Sequence, residues 1–245
     1  MRQDDQTTRY EPVAGDTALV SFTLESLTSA VNYHRWVEDL AAPHLGEDPL
    51  EVGSGLGDYA QAWVDRGQPR VTVSDADPSR LTHLRSRFPA GGPVVVRELD
   101  VMSAEVGSYS AVVAINVLEH LSDDVAALRA MAGRVRPGGK VVIFVPAFPF
   151  AMSRFDRTVG HFRRYRRHTL VAAFTAAGLE VEQVRYVNAP GLLAWFLGMR
   201  LLRMTPQDGA TVRLWDRFVI PLARAAEARR QPPFGQSVFA VGVKR

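Results

Sequence analysis

The sequence predicts a doubly wound α/β domain, with a mostly parallel sheet covered by helices on both faces. Three observations lead there. From Pro49 onward, short runs rich in valine and isoleucine alternate with longer amphipathic segments. The short runs are apolar at consecutive positions, as in strands buried on both sides. Hydrophobic residues make up 47% of the 245, enough for one large core.

The elements follow in order. Strands are expected at Leu50–Val52, Val71–Ser74, Val94–Leu99, Ala111–Ile115 and Lys140–Val145, with Val181–Val187 and Ser237–Val243 completing a set of seven. Helices are expected at Tyr59–Arg66, Ser79–Phe88, Asp123–Val135 and Thr169–Ala177. Ser122 or Asp123 caps the third helix and Pro137-Gly138-Gly139 stops it. Gly178 closes the fourth, where a left-handed residue is wanted. Residues 1–45 read as an N-terminal helical cap, and 188–236 as an insertion between the last two strands, placed to roof a ligand pocket with Leu192, Trp195, Phe196 and Trp215. The stretch Leu192–Leu202 is interrupted by Arg200 and is too short for a bilayer span of about 20 residues. It reads as a packed helix, with a lid or a peripheral membrane contact as the other readings.

Composition narrows the function. With no cysteine, disulfides, thiolate metal sites and a cysteine nucleophile are excluded. The first thirty residues hold no apolar signal core, so a cytoplasmic protein is expected. A formal charge of +3 is a weak pointer to anionic partners. Four arginines within Arg163-Arg164-Tyr165-Arg166-Arg167-His168 say more.

The most informative stretch is Leu50-Glu51-Val52-Gly53-Ser54-Gly55-Leu56-Gly57-Asp58-Tyr59. A strand runs into a glycine-rich turn that opens a helix, which lets a ligand approach the main chain closely. A dinucleotide fingerprint would put its third glycine at position 58, which is Asp58, and no Gly-Lys-Ser/Thr tripeptide is present. Glu51 repels phosphate and suits a cationic amine instead. Asp75, at the end of the second strand, is placed to accept from ribose hydroxyls, and Asp77 to cap the next helix. Asp100, after the third strand, is placed to accept from an adenine amino group.

In this order, Glu51, the Gly53-Gly55-Gly57 turn, Asp75, Asp100, Asn116-Val117-Leu118-Glu119-His120 and Arg136-Pro137-Gly138-Gly139-Lys140 make the chain resemble class I S-adenosylmethionine-dependent methyltransferases. The likeness runs over about residues 30 to 187 and points to the small-molecule, type 11/12-like subgroup. It implies the Rossmann-like methyltransferase fold, with Ser237–Val243 as an antiparallel seventh strand. It implies S-adenosylmethionine as cofactor and S-adenosylhomocysteine as product. Gly53, Ser54, Gly55 and Gly57 would contact the methionine and ribose portions, and Asp75 with Ala76 the ribose. Asp100 and Val101 would flank the adenine, and Asn116 would lie beneath the sulfonium. Tyr33-His34-Arg35-Trp36 looks like a helix that folds over the cofactor, although Trp36 could equally be simple helix packing.

Two departures carry information. Asn116 is followed by Val117 and Leu118, not by the Asn-Pro-Pro-Tyr-like motif of nucleobase amine methyltransferases. Some quinone O-methyltransferases present Glu-x-x-Glu-His to a metal; here Asn116 replaces the first glutamate, so no metal is expected.

Methyl transfer from a sulfonium needs positioning and water exclusion more than a catalytic dyad. A base helps where the acceptor loses a proton. The segment Phe155-Asp156-Arg157-Thr158-Val159-Gly160-His161-Phe162-Arg163-Arg164-Tyr165 resembles an Asp-x-x-x-Gly-His-x-Arg-Arg-Tyr stretch in a subgroup of these enzymes. His161 is the first candidate base; its rival role is to bond Asp156 and fix a lid. Tyr165 is expected to orient the acceptor, and His120 is a further candidate. Arg163 and Arg164 would clamp an anionic acceptor, or simply coat a helix start. Trp195 and Phe196 would line its pocket. The expected function is methylation of a small metabolite, natural-product precursor or lipid-like intermediate. RNA modification and an inactive cofactor-binding subunit are the alternatives. Oligomeric state is not readable.

Overall fold

The computed structural model describes residues 30–103, 105–201 and 209–245. Most of the expected 1–45 cap lies outside them, as does the middle of the 188–236 insertion. The elements run α1 (Val31–Ala41), β1 (Pro49–Val52), α2 (Asp58–Asp65), β2 (Val71–Asp75), α3 (Pro78–Arg87), β3 (Val94–Glu98) and β4 (Tyr109–Ile115). After these come α4 (Asp124–Arg134), β5 (Val135–Pro146), α5 (Arg154–Thr158), α6 (Arg167–Ala176) and β6 (Leu179–Val187). The chain then forms α7 (Ala189–Trp195), a π-helical turn (Phe196–Leu201), α8 (Gly209–Arg229) and β7 (Ser237–Lys244).

The seven strands form one sheet in the order β3-β2-β1-β4-β5-β7-β6. Neighbouring pairs among β1 to β5 are parallel, and β7 lies antiparallel between β5 and β6. This is the doubly wound sheet that the alternation predicted. Strand order reverses between β1 and β4, so a crevice opens at their carboxyl ends.

Alternate side chains of the same strand feed opposite cores. Leu50, Val112, Ala114, Val141 and Ile143 pack with Leu128 and Met131 of α4 and Leu170 and Phe174 of α6. Val73, Val113, Val142 and Phe144 pack with Trp36 of α1, Trp63 of α2 and Ile220 of α8. The runs Ala111–Ala114 of β4 and Val141–Val145 of β5 are therefore apolar at every position because both of their faces are dry.

Caps follow the sequence closely. Asp77 accepts from Ser79 N at 2.8 Å, and Asp123 accepts from Ala126 N at 2.8 Å. Gly178 has φ +83° beyond α6. The expected helix stop needs correction: α4 already ends at Arg134, and Arg136–Gly139 bulge out within β5, which pairs through Val135 and resumes at Lys140. Helix α8 supplies caps to other helices. Asp216 accepts from Asn32 N and Tyr33 N at 2.9 and 2.8 Å at the start of α1. Glu227 accepts from Asn188 N and Ala189 N at 3.2 and 2.9 Å at the start of α7. Both carboxylates thus neutralise orphan donors at helix N-termini. Much of the insertion therefore serves packing: Trp215 lies against the Trp36 and Ile220 core and does not join Trp195.

Candidate active site

The glycine turn forms the floor of the crevice. Gly53, Gly55 and Gly57 have φ of +68°, +56° and +81°, a region open to glycine at little cost. A Cβ at Gly53 would lie 2.5 Å from Val117 Cγ2, and one at Gly57 2.6 Å from Phe88 Cε2. Gly57 N donates to Ser54 O and Ser54 N to Ser74 O, both at 2.8 Å, locking the turn against β2. Glu51 lies in β1 just before the turn, buried, with Oε2 lacking any hydrogen-bond partner. Burial pushes its carboxyl up to about 8, and the charges of Asp58 and Asp75 add to the rise.

Asp75 ends β2 with Oδ2 accepting Gly55 N at 3.0 Å and Oδ1 accepting Asp77 N at 2.9 Å. Each oxygen keeps a lone pair for another donor. Ala76 is half-buried beside it. Asp100 Oδ1 accepts Met102 N at 2.8 Å, and Val101 is buried. A residue that sequence reasoning missed fixes this loop: the Arg134 guanidinium, almost fully buried, donates to Asp100 O at 2.8 Å, Val101 O at 3.0 Å and Ser103 O at 2.9 Å. An arginine inside the apolar end of a helix was the available signal. Asn116 stands exposed at the end of β4 with φ +53°, its N–H donating to Phe144 O at 2.8 Å. Tyr33 packs edge-on against Phe144, ring centroids 6.4 Å apart, and burial raises its hydroxyl to about 12. Trp36 is buried in the core, so packing accounts for that position.

On the other wall, the segment after β5 converges on the turn that follows β4. Asp156 is wholly buried. Its Oδ2 accepts from Ser153 N and Oγ at 2.6 and 2.7 Å; its Oδ1 faces His161 Nδ1 at 2.9 Å and accepts from Arg164 Nη2 at 2.8 Å. Burial works to raise this carboxyl, yet the His161, Arg164 and Ser153 donors hold it well below the usual range. The ionised Asp156 orients the imidazole through Nδ1, which leaves Nε2 turned toward Glu119. That Nε2 lies 3.9 Å from Glu119 Oε1. Glu119 is wholly buried with both oxygens unpartnered, and burial raises it to about 7 against the pull of His161 and Arg164. The His120 ring meets His161 edge-on at 4.6 Å. Burial, followed by the charges of His161 and Arg80, pushes His120 down to about 3.

Three expectations change here. Tyr165, expected to orient the acceptor, is buried and its hydroxyl is committed to Asp124 Oδ2 at 2.9 Å. Arg164 cannot clamp an anion, because its guanidinium is committed to Asp156 and Ala147 O and stacks on Trp195 at 4.7 Å. Arg163 is likewise paired with Asp124 at 3.0 Å. The expected absence of metal ligands beyond Glu119 and His120 also changes. Glu119, His120 and His161 bring ligand atoms within 4.8 Å of one another, the third coming from a segment that spacing alone could not connect.

Aromatic side chains line the remaining wall. Phe148 stacks on Tyr186 at 4.8 Å, Phe150 meets Phe196 at 5.7 Å, and Phe155 meets Trp195 at 5.9 Å. Trp195 Nε1 donates to Ala151 O at 3.1 Å, tying α7 to this segment. Phe150 and Phe162 are half exposed.

Comparison with known proteins agrees with this geometry. A family model described as a methyltransferase domain matches residues 50–141. An uncharacterized methyltransferase of Mycobacterium tuberculosis is 36% identical over 96 residues, covering 38% of this chain and 48% of that protein. The chain thus spans about half the length of that relative. A ubiquinone biosynthesis O-methyltransferase of Pseudomonas aeruginosa is 28% identical over 166 residues, covering 61% of this chain and 71% of that one. Among solved structures, the complex of the Haloferax volcanii Trm112 activator with a methyltransferase contains a similar chain (TM-score 0.62, 18% identity, 93% and 97% of the two chains). Geranyl diphosphate methyltransferase with bound GPP and sinefungin is similar at TM-score 0.59 and 13% identity, over 85% and 78% of the two chains. The turn, the strand-end acids, the sheet order and these likenesses agree: residues 50–141 match a methyltransferase domain, and the chain is similar to class I S-adenosylmethionine-dependent methyltransferases.

Proposed function

We propose that the chain transfers a methyl group from S-adenosylmethionine to a small, largely apolar acceptor, leaving S-adenosylhomocysteine. One observation carries the reading: a buried carboxylate with an unpartnered oxygen, Glu51, sits just before a turn of three positive-φ glycines. The residues fit this cofactor. Glu51 answers its ammonium, Asp75 has lone pairs for the ribose hydroxyls, Asp100 and Val101 take the adenine, and Asn116 and Tyr33 lie toward the sulfonium. When bound, the cofactor supplies an activated methyl group and its own leaving group.

The chain's part is to orient the acceptor in line and keep water out. Phe148, Phe150, Phe162 and Phe196 offer an apolar wall for it. His161, held by Asp156, presents Nε2 as the base for an acceptor that loses a proton, with Glu119 alongside. Because Arg163 and Arg164 are already paired, an apolar or aromatic acceptor is favoured over an anionic one. A ubiquinone biosynthesis O-methyltransferase among the relatives supports a small-molecule acceptor. Calorimetric titration with S-adenosylmethionine and S-adenosylhomocysteine tests the reading. Micromolar binding of both, lost in Asp75→Ala, is expected; no binding to the folded protein would overturn it.

A further inference from the structure

Helix α8 turns its two acids inward and its greasy side outward. Asp216 and Glu227 are the only acids between Gly209 and Arg229, and both are buried as caps for other helices. The outward face instead carries Leu214, Phe218 and Leu222, which are 61%, 58% and 73% exposed. Their spacing of four places them in one stripe about 12 Å long. Arg213 and Arg217 flank it one residue back, both exposed, and Arg229 and Arg230 are exposed at its end. The Arg217 guanidinium lies 5.5 Å from the Phe218 ring centroid, so cation and apolar group share one surface. On the adjoining α7 and π-helical turn, Leu193 and Leu197 are each 56% exposed.

Three adjacent large side chains this exposed along one helix are more than the scattered apolar residues of an ordinary surface. We propose that this face of α8 seats the protein on the surface of an anionic lipid bilayer, lying in the plane of the interface. An apolar stripe bordered by arginines, with the helix's acids turned away, is the pattern of an interfacial helix. The stripe enters the boundary between headgroups and acyl chains, while the guanidiniums reach the phosphates. Among the described residues no helix is long and apolar enough to cross a membrane, so the contact is peripheral. A second copy of the chain is a poorer occupant, because a two-fold contact through this face would bring the same arginines together with no acid between them. The sequence had pointed to Leu192–Leu202 for any membrane contact. The structure buries Leu192 and moves the stronger surface to α8.

The test needs neither cofactor nor acceptor, so it stands apart from the proposed activity. Purified full-length protein is floated with vesicles of phosphatidylcholine alone or with about one third phosphatidylglycerol. The expected result is binding to the anionic vesicles at least ~10-fold tighter than to the neutral ones. A triple variant, Leu214→Ser with Phe218→Ser and Leu222→Ser, should lose at least ~10-fold in affinity, as should Arg213→Glu with Arg217→Glu. All substituted positions are exposed, and unchanged thermal midpoints would confirm intact folding. The proposal is overturned if the wild type fails to bind anionic vesicles, or if the triple variant binds as well as wild type. It is equally overturned if sedimentation shows that these substitutions dissolve a dimer, since a second copy would then own the face.

Discussion

The two walls of the crevice hold their charges in opposite ways. On the glycine side, Glu51 keeps an oxygen with no partner, and Asp75 accepts one backbone N–H on each oxygen with the Arg80 guanidinium 3.7 Å away, which leaves lone pairs for a further donor. On the other side, Asp156 is saturated by its own chain through Ser153, His161 and Arg164. The first wall is shaped by backbone conformation and built to receive. The second is a closed ionic frame, beside which both Glu119 oxygens and His120 Nδ1 lack partners and His161 Nε2 lies 3.9 Å from Glu119. Open charges predict ligand sensitivity, whereas closed ones predict stability effects.

The comparison is broken most severely by cutting the frame. Arg164→Ala strands the buried Asp156 carboxylate, and urea unfolding should show a loss of about 3–5 kcal/mol. A loss under 1 kcal/mol would mean that the frame is not structural. Gly53→Ala attacks the other wall, where both φ and the Val117 contact oppose a methyl group. It should cost ~2–3 kcal/mol in the same assay and abolish cofactor binding.

Glu51→Gln should act in the reverse direction on the free protein. The folded carboxyl titrates near 8 against a reference of 4.5, so its neutral form favours the fold. The wild type's advantage is full below 4.5 and is lost as pH rises through 8. Glutamine has no such loss, so the variant should gain on the wild type between pH 5 and 8, by about 3–4 kcal/mol. A gap that does not change with pH would place Glu51 in a wetter environment. The smallest effect is expected at the cap of α4: Asp123→Ala should cost ~1 kcal/mol and leave cofactor affinity untouched.

These differences also explain what could be read from the sequence. Strands announced themselves because runs such as Val112–Ala114 and Val141–Val145 face dry layers on both sides. The glycine turn and Asp75 were legible because their geometry is local: a strand end, three glycines, and an acid at the next strand end. The caps at Asp77 and Asp123 are local in the same sense. The other wall was not legible in full, because it joins residues from separate elements. Asp156 and His161 are near neighbours and were paired correctly. Nothing in the sequence near Tyr165 revealed that its hydroxyl would reach Asp124, or that Trp195 would lie under Arg164. Nor did the spacing of Asn116, Glu119 and His120 reveal His161 as a third donor. Arg134 and the inward acids of α8 were missed for the same reason: a charged side chain's partner across the fold leaves no periodic signal.

The central claim is that Glu51 is held open for a cationic ligand. Its most direct test is calorimetric titration with S-adenosylmethionine from pH 6 to 8, comparing wild type with Glu51→Gln. An ammonium beside Glu51 favours the ionised carboxyl, so wild-type binding should release a proton and tighten toward pH 8, by at most about 10-fold per pH unit. The variant should bind more weakly and lose that dependence. Equal affinities with the same pH profile would contradict the account.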